Sequence, residues 1–490
     1  FRDAFRAELP DADMQRFVNI WSPYNCRQAL ERMRSASSIH GGYEAGGVRT
    51  RDTMQDSQGF VHLNRPDWVR ETIELTLAHQ HPQGCLPDEF DPAQPKEHQP
   101  HTHKRGDNAV WCVFTTHAYV SETGDLGFLD KSVPYYKGDE ASVFDHLRQG
   151  LKYIWDRRGP NDLCVLWFGD WNDEISQYAP GDSESIMTSA QLAYAAELLA
   201  ELAAATGRDK AVPWCRRITR HMAKALNTDA VWDGAWYRRI LFRDGSTPLG
   251  SDRRSELKLY PNAQSWPVIC GAAGPDRGRE ALDSAYAHAL EPWGLKMTWP
   301  AATGTPAPPA PLLSKQPGVG ENGGVFNQPN AWAMMAETVL GRGDKAYDLY
   351  RRCLPPVICD EVGPDRYANE PYCYSSHVLA SPQPEAGTAE LPWLTGTAAC
   401  MYLAATQWIL GIRPVPAGLR IDPCIPAAWK GFSIRRRFRG VTYDIDVRNP
   451  DGAQRGLVSL TLDGEPVDGN VVLAPKGRRR AKVIATMGER

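Results

Sequence analysis

The chain has 490 residues, with 55 Lys and Arg against 59 Asp and Glu for a net charge of −4. That length excludes a single small core and predicts one large domain with a smaller one. The balanced charge, with only short basic runs such as Lys476-Gly477-Arg478-Arg479-Arg480 near the end, excludes nucleic acid as a favoured partner. No apolar run reaches the roughly 18 residues of a membrane span. The 11 cysteines are scattered, with no C-x-x-C pair, which suits reduced thiols in a cytoplasmic protein. No secretory leader opens the chain, and a start at Phe1 rather than Met points to a longer parent. Sixteen Trp is about twice the usual share. Large cores use Trp, and so do carbohydrate clefts, where rings stack on sugar faces.

Helical periodicity begins at Asp11 and runs to Ala36, with a break expected at Pro23. A glycine-rich loop is predicted from Gly41 to Gly59, carrying Arg49, Arg51, Asp52, Gln55 and Asp56. It reads either as a solvated turn with local ion pairs or as a grip on sugar hydroxyls. A helix follows over Asp67–Gln80. His98, His101 and His103 then fall in a Pro-rich polar loop. Three imidazoles can ligate a metal, but nothing in the local pattern puts them on a rigid element, and an exposed loop is the expectation. Helices are predicted over Asn108–Thr123 and Phe144–Trp155.

Trp167-Phe168-Gly169-Asp170-Trp171-Asn172-Asp173-Glu174 interrupts this series with three aromatics, an amide and three acids in eight residues. The pattern is equally a Trp-containing turn with an Asp cap or a sugar-binding loop that carries a proton-handling carboxyl. Further helices are predicted over Ser183–Thr206, Lys210–Asn227, Asn262–Cys270, Arg277–Leu290, Asn330–Leu340, Asp344–Cys353 and Thr388–Leu410, the last capped by Gly411. There is no strand–helix alternation, which argues against an α/β barrel. A toroid of helix pairs with its functional loops at one end is the simplest way to bury so many amphipathic helices. From about Val415 the pattern alternates with period two, at Ser433–Phe438, Val441–Val447 and Leu457–Leu462. A small antiparallel β domain is expected there.

Six segments taken together resemble the inverting disaccharide phosphorylases of glycoside hydrolase family 94, the cellobiose and chitobiose phosphorylases among them. They are Arg51-Asp52-Thr53-Met54-Gln55-Asp56, Asp170-Trp171-Asn172-Asp173, Asn262-Ala263-Gln264-Ser265-Trp266, Glu321-Asn322-Gly323-Gly324-Val325-Phe326, Trp393-Leu394-Thr395-Gly396-Thr397, and Gly411-Ile412-Arg413-Pro414 through Leu419 to Pro426. Each is weak alone; in family order, from about Val18 to Pro450, they are specific. The resemblance implies a mainly α fold: a helical linker segment at 1–40, an (α/α)6 barrel at 41–414, and a C-terminal antiparallel β-sandwich at 415–490. Family members usually also carry an N-terminal β-sandwich, and a homodimer is common among them.

The implied chemistry is phosphorolysis of a β-linked disaccharide or short oligosaccharide to an α-sugar 1-phosphate, with inorganic phosphate as co-substrate and no organic cofactor or metal. Mapped by motif, Asp173 is the general acid. Arg51, Asp52, Asp56 and Trp171 bind the sugar whose bond is broken, and Glu321 lies near the acceptor. Thr395 and Gly396 contact phosphate. Gln328 stands where the family often has a phosphate-binding His, and Gly320 where it often has an acceptor-binding Lys. Ser375 or Ser376 replaces a usual Gln, and Glu174 replaces a small residue. A second carboxyl beside the acid raises its pKa or serves a water nucleophile. The rival readings are therefore a hydrolase or transglycosylase on the same barrel and a non-catalytic carbohydrate-binding protein.

Overall fold

A computed structural model describes residues 4–29, 48–61, 65–91, 105–303, 315–393, 395–473 and 477–488. Its helices, in chain order, are α1 (Ala12–Arg16), α2 (Ser22–Gln28), α3 (Thr50–Val61), α4 (Pro66–Leu77), α5 (Asn108–Thr123), α6 (Val143–Trp155), α7 (Ile186–Ala205), α8 (Val212–Ala225), α9 (Pro261–Ile269), α10 (Pro275–Ala289), α11 (Asn327–Val339), α12 (Gly343–Arg352), α13 (Pro355–Val362), α14 (Pro364–Tyr367) and α15 (Thr397–Leu403). They fall into two kinds. The helices α5, α7, α9, α11 and α15 are buried on nearly every face, as expected of helices inside a large core. The helices α4, α8, α10 and α12 bury one stripe each and pack against α3, α7, α9 and α11.

Caps explain the clean starts. Ser185 accepts from the Thr188 amide at 3.1 Å and opens α7. Ser142 does the same for α6 through Asp145. Asp11 opens α1 by accepting from the Met14 amide at 2.7 Å, and its second oxygen ties α1 to α12 through Tyr347 and Arg351. Such caps satisfy amides that the helix itself leaves open.

Four sequence expectations are corrected. Residues 50–59 are not loop but the body of α3. Gly59 sits there because α3 approaches α15 and α2 closely: a Cβ at Gly59 would stand 2.9 Å from Ala399 Cα and 2.9 Å from Cys26 Sγ. Pro23 does not break the first helix. It occupies the first turn of α2, where a missing N–H costs little, and a π-helical turn, Phe17–Trp21, joins α1 to it. The last long helix starts only at Thr397, because Ala389–Pro392 is a strand paired with Ser375–Val378. The start of the chain is not helical throughout: Phe5–Glu8 is a strand, and it pairs antiparallel with Gly431–Phe438.

That pairing places the first strand at the edge of a small C-terminal sheet structure. A six-stranded sheet runs in the order Phe5–Glu8, Gly431–Phe438, Val441–Arg448, Arg480–Met487, Leu457–Leu462, Glu465–Pro466, with a three-stranded sheet from Ile412–Val415, Gly418–Ile421 and Val471–Val472. Gly431–Phe438 and Val441–Arg448 alternate buried and open residues as read, and Arg480–Met487 does too, whereas Leu457–Leu462 buries only Leu460. One pair, Val441–Arg448 with Arg480–Met487, is parallel rather than antiparallel. Arg436, buried in this sheet, forms an ion pair with Glu122 of α5, and Arg439 donates to the Ser121 carbonyl at 2.7 Å. These contacts clamp the sheet to the helical body. All eleven cysteines are free thiols. Among the described residues no helix is long and apolar enough to cross a membrane.

Gly59→Ala tests the close approach of α3. Alanine is the better helix former, so a loosely packed site would gain stability. Overpacking against Ala399 is expected instead to cost about 1–3 kcal/mol, read as a lower urea midpoint at unchanged slope.

Candidate active site

The strand Cys164–Val165 pairs with Glu184–Ser185, which pairs in turn with Ile240–Leu241. The acidic stretch is the excursion between the first two strands. It begins with strain: Trp167 has φ +59°, held by its amide donating to the Gly181 carbonyl at 2.6 Å. A left-handed tryptophan costs roughly 1–2 kcal/mol, a cost typical of loops fixed for function.

Below the loop, Asp170 and Arg239 form an ion pair of 2.6 Å, both fully buried. Asp170 also accepts from the Ser185 hydroxyl at 2.7 Å and the Asn172 amide at 3.1 Å. Arg239 donates to Asn172 Oδ1 at 2.7 Å, and Asn262 donates to the same oxygen at 2.8 Å. The Asn172 side-chain nitrogen then donates to Glu321 at 3.2 Å. Glu321 also accepts from the Asp173 amide at 2.8 Å and the Glu174 amide at 3.0 Å. It thus caps the short 3-10 turn Asp173–Gln177 with a carboxylate, where open amides favour one.

Two guanidiniums close the other side. Arg51 of α3 and Arg105, just before α5, both donate to the Asp170 carbonyl, at 2.7 and 3.1 Å. Both stand 2.9 Å from Asp173 Oδ1, and the Asp173 side chain remains 47% exposed.

The loop faces a cleft of ≈440 Å³. Of the residues singled out in the sequence, Arg51, Asp52, Trp171, Asp173, Glu321, Gln328, Thr395 and Gly396 line it. Asp56 does not: it is 1% exposed, and its charge adds to burial in raising the Cys26 and Cys400 thiols. Trp171 is largely buried, edge-on to Phe326 at 5.1 Å and to Trp332 at 4.9 Å. The exposed aromatic is Phe168, 44% accessible, with Arg105 over its ring at 5.4 Å. Gln328 donates to Gln55 at 2.7 Å, and a primary amide has a second hydrogen for a ligand. The Thr395 hydroxyl donates to Thr397 Oγ1 at 2.7 Å. Ser376 also lines the cleft.

Two cations were missed by sequence reasoning. Arg105 follows the Pro-rich histidine segment and resembles any surface arginine there. Its one signal is the adjacent Gly106, where a Cβ would meet the Val165 carbonyl at 2.9 Å. Lys315 stands five residues before Gly320, and its side chain lies over that glycine. A Cβ at Gly320, whose φ is +52°, would meet Lys315 Cδ at 2.7 Å and Nζ at 2.5 Å. The ammonium so placed is 3.5 Å from Glu174 Oε1. His98, His101 and His103 lie outside the described residues. Among the described residues no group of three His, Cys, Asp or Glu could hold a metal.

The three acids are driven apart. Burial works to raise the Asp173 carboxyl, but Arg51 and then Arg105 outweigh it and bring it down to about 2. For Glu174 burial comes first, then the charge of Glu321. Together they exceed the pull of Lys315 and raise it to about 8. Glu321 is raised by burial and by Asp173, against the three N–H groups it accepts from. Environments that split neighbouring carboxyls in this way mark acid–base sites.

The sequence matches the catalytic domain of the glycosyl hydrolase 94 superfamily over residues 2–411 and the C-terminal domain of glycosyl hydrolase family 65 over residues 412–468. It is 33% identical over 505 residues to an N,N'-diacetylchitobiose phosphorylase of Vibrio proteolyticus, covering 98% of this chain and 62% of that protein. It is 34% identical over 489 residues to the N,N'-diacetylchitobiose phosphorylase of Vibrio furnissii, covering 95% and 60%. The chain therefore spans about three-fifths of the length of these relatives. Among solved structures, a GH78 family rhamnosidase of Bacillus sp. GL1 superposes with a TM-score of 0.57 at 14% identity, covering 99% of this chain and 44% of that one. At that identity the likeness is one of fold.

The acidic cluster makes stability depend on pH. Glu174 keeps its proton in the folded chain up to about 8, whereas the unfolded carboxyl loses it near 4.5. Between those values the folded state binds more protons, so this group's contribution to stability falls as pH rises. Glu174→Gln is expected to flatten the decline of Tm across that window, measured as the difference between variant and parent at matched pH.

Proposed function

The chain belongs to the glycosyl hydrolase 94 superfamily, and from that premise we propose that it carries the catalytic centre of an inverting disaccharide phosphorylase. Its substrate is a β-linked disaccharide or short oligosaccharide, and its product an α-sugar 1-phosphate. The observation that carries this reading is the convergence in one cleft of a half-exposed carboxylate at Asp173, two guanidiniums at Arg51 and Arg105, and the neutral polar residues Gln328, Thr395 and Gly396. Aromatic edges at Phe168, Trp171 and Phe326 line the same space and suit a sugar's apolar face.

In this mechanism a phosphate oxygen bonds to the anomeric carbon from the face opposite the leaving sugar, and the glycosidic C–O bond breaks. Asp173 gives its proton to the departing oxygen. The proton shed by phosphate restores the acid, so one carboxyl is enough, where an inverting hydrolase needs a second to activate water. The free site holds Asp173 ionised. Phosphate entering beside Arg51 and Arg105 supplies competing negative charge, which weakens their pull and lets Asp173 take up the proton. Glu321 acts from behind by fixing the backbone of residues 173 and 174. Lys315 restores at the Glu174 side the cation that Gly320 lacks.

The reading extends to architecture. We propose that α3, α5, α7, α9, α11 and α15 form the inner ring of an (α/α)6 barrel. Each packs on the next in that order, and α15 packs on α3, which supports closure.

One observation favours a second assignment. Glu174 is the carboxyl held neutral while Asp173 is held charged, so Glu174 could be the donor. The two assignments differ in outcome. With Asp173 as the acid, Asp173→Asn lowers kcat by about 10²–10⁴, and Glu174→Gln retains turnover with an altered pH profile. Loss in Glu174→Gln alone would reverse the roles. Turnover that continues without inorganic phosphate, giving free sugar, would make the enzyme a hydrolase. Lys315→Met is expected to raise KM for the acceptor sugar in the synthetic direction by roughly tenfold, the worth of one charge-assisted hydrogen bond, with kcat little changed.

A further inference from the structure

Trp332 of α11 has a second neighbourhood besides Trp171. It lies 6.2 Å from Trp111 and 5.4 Å from Trp266, and these three rings wall a separate cavity of ≈180 Å³. A further ≈170 Å³ adjoins it. The two share Tyr194, Ile269, Trp408, Arg413 and Arg420. None of those five lines the cleft of Asp173.

Aromatic surface here meets two adjacent guanidiniums, Arg413 and Arg420. Arg413 and Arg420 are direct cross-strand partners in the Ile412–Val415 and Gly418–Ile421 ladder, so they share one face. Like charges in that position repel. The acids nearby are Glu201, bound to His117 at 2.9 Å, Asp422, bound to Arg455 at 2.8 Å, and Glu197, which lines the first cavity. Among the described residues neither Arg413 nor Arg420 has a carboxylate within ion-pair distance. Arg413 lies over the Trp408 ring at 3.6 Å, and its Nε is buried without an acceptor. Burial lowers its pKa, and the neighbouring Arg420 adds to the effect. A buried donor without an acceptor is costly, and a pair of guanidiniums matches the oxygens of a phosphate.

We infer that this pair of cavities is a second binding site, for a small phosphorylated sugar, with the phosphate between Arg413 and Arg420 and the sugar ring against Trp408 and Tyr194. The inference does not depend on the phosphorylase reading, because it concerns binding at residues outside the catalytic cleft.

Isothermal titration calorimetry with glucose 6-phosphate, inorganic phosphate and glucose, each added to the purified protein and to Arg420→Met, tests it. Glucose 6-phosphate should bind the parent at least roughly tenfold more tightly than inorganic phosphate or glucose alone, and Arg420→Met should weaken it by roughly tenfold or more, the loss expected of one charge-assisted contact. The kcat/KM for the cleft reaction should stay unchanged, which separates this site from the cleft. Arg420→Lys, which keeps the charge but loses the planar fork, should bind with intermediate affinity and guards against a folding defect in the methionine variant. Equal binding by parent and Arg420→Met would put the ligand elsewhere and overturn the inference. Inorganic phosphate whose Arg420-dependent binding, the part lost in Arg420→Met, is as tight as that of the sugar phosphate would overturn the sugar half of it, and no binding by any probe would overturn it whole.

Discussion

The buried pair of Asp170 and Arg239 is the constraint on which the acid-bearing loop rests. Two opposite charges with no exposed surface are expensive to remove from water, and such pairs persist only where their remaining donors and acceptors are met. Here the carboxylate has Ser185 and the Asn172 amide, and the guanidinium has Ser185 and the Asn172 side-chain oxygen, which leaves only its Nε without an acceptor. Asn262 from α9 completes the set at Asn172. The pair therefore does more than cancel charge. It fixes the rotamer of Asn172, and so the direction in which the next two residues leave the core.

That direction brings the amides of residues 173 and 174 to Glu321, from a segment almost 150 positions away. Backbone and carboxylate hold each other in place, and the side chains of Asp173 and Glu174 are left to diverge. One turns to Arg51 and Arg105, the other to Lys315. At Glu174 burial and the charge of Glu321 exceed the pull of Lys315, so adjacent residues of nearly identical chemistry shift in opposite directions. A chain carrying two acids side by side acquires one strong acid and one weak acid, because position rather than residue type sets which form each prefers.

Much of the helical body was legible because amphipathic periodicity is a local property. The helices from α5 to α12 came within a few residues of their observed ends, since Gly124 and Ser185 act where sequence rules put a stop and a start. The misreadings occurred where a distant partner decided the local state. Gly59 looks like a loop residue but is there for the contact with Ala399. Residues Ala389–Pro392 resemble a helix start and are instead held as a strand by Ser375–Val378. Asp56 shares a motif with Arg51 and Asp52 but lies a turn further along the helix than Asp52, buried and outside the cleft.

By itself the sequence determined the succession of helices, the alternating strands after residue 411, the acid-bearing loop and most of the residues around it. The helices and strands follow from burial periods and the loop from side-chain chemistry in one short segment, whereas Glu321, Gln328, Thr395 and Gly396 follow from the resemblance of short motifs to a family. Only the tertiary structure decided that Arg105 and Lys315 join that loop, that Glu321 faces its backbone, and that Phe5–Glu8 closes the edge of a sheet built more than 400 residues later. Those pairings depend on where the ends of separate helices and strands converge in space, and spacing along the chain carries no record of that.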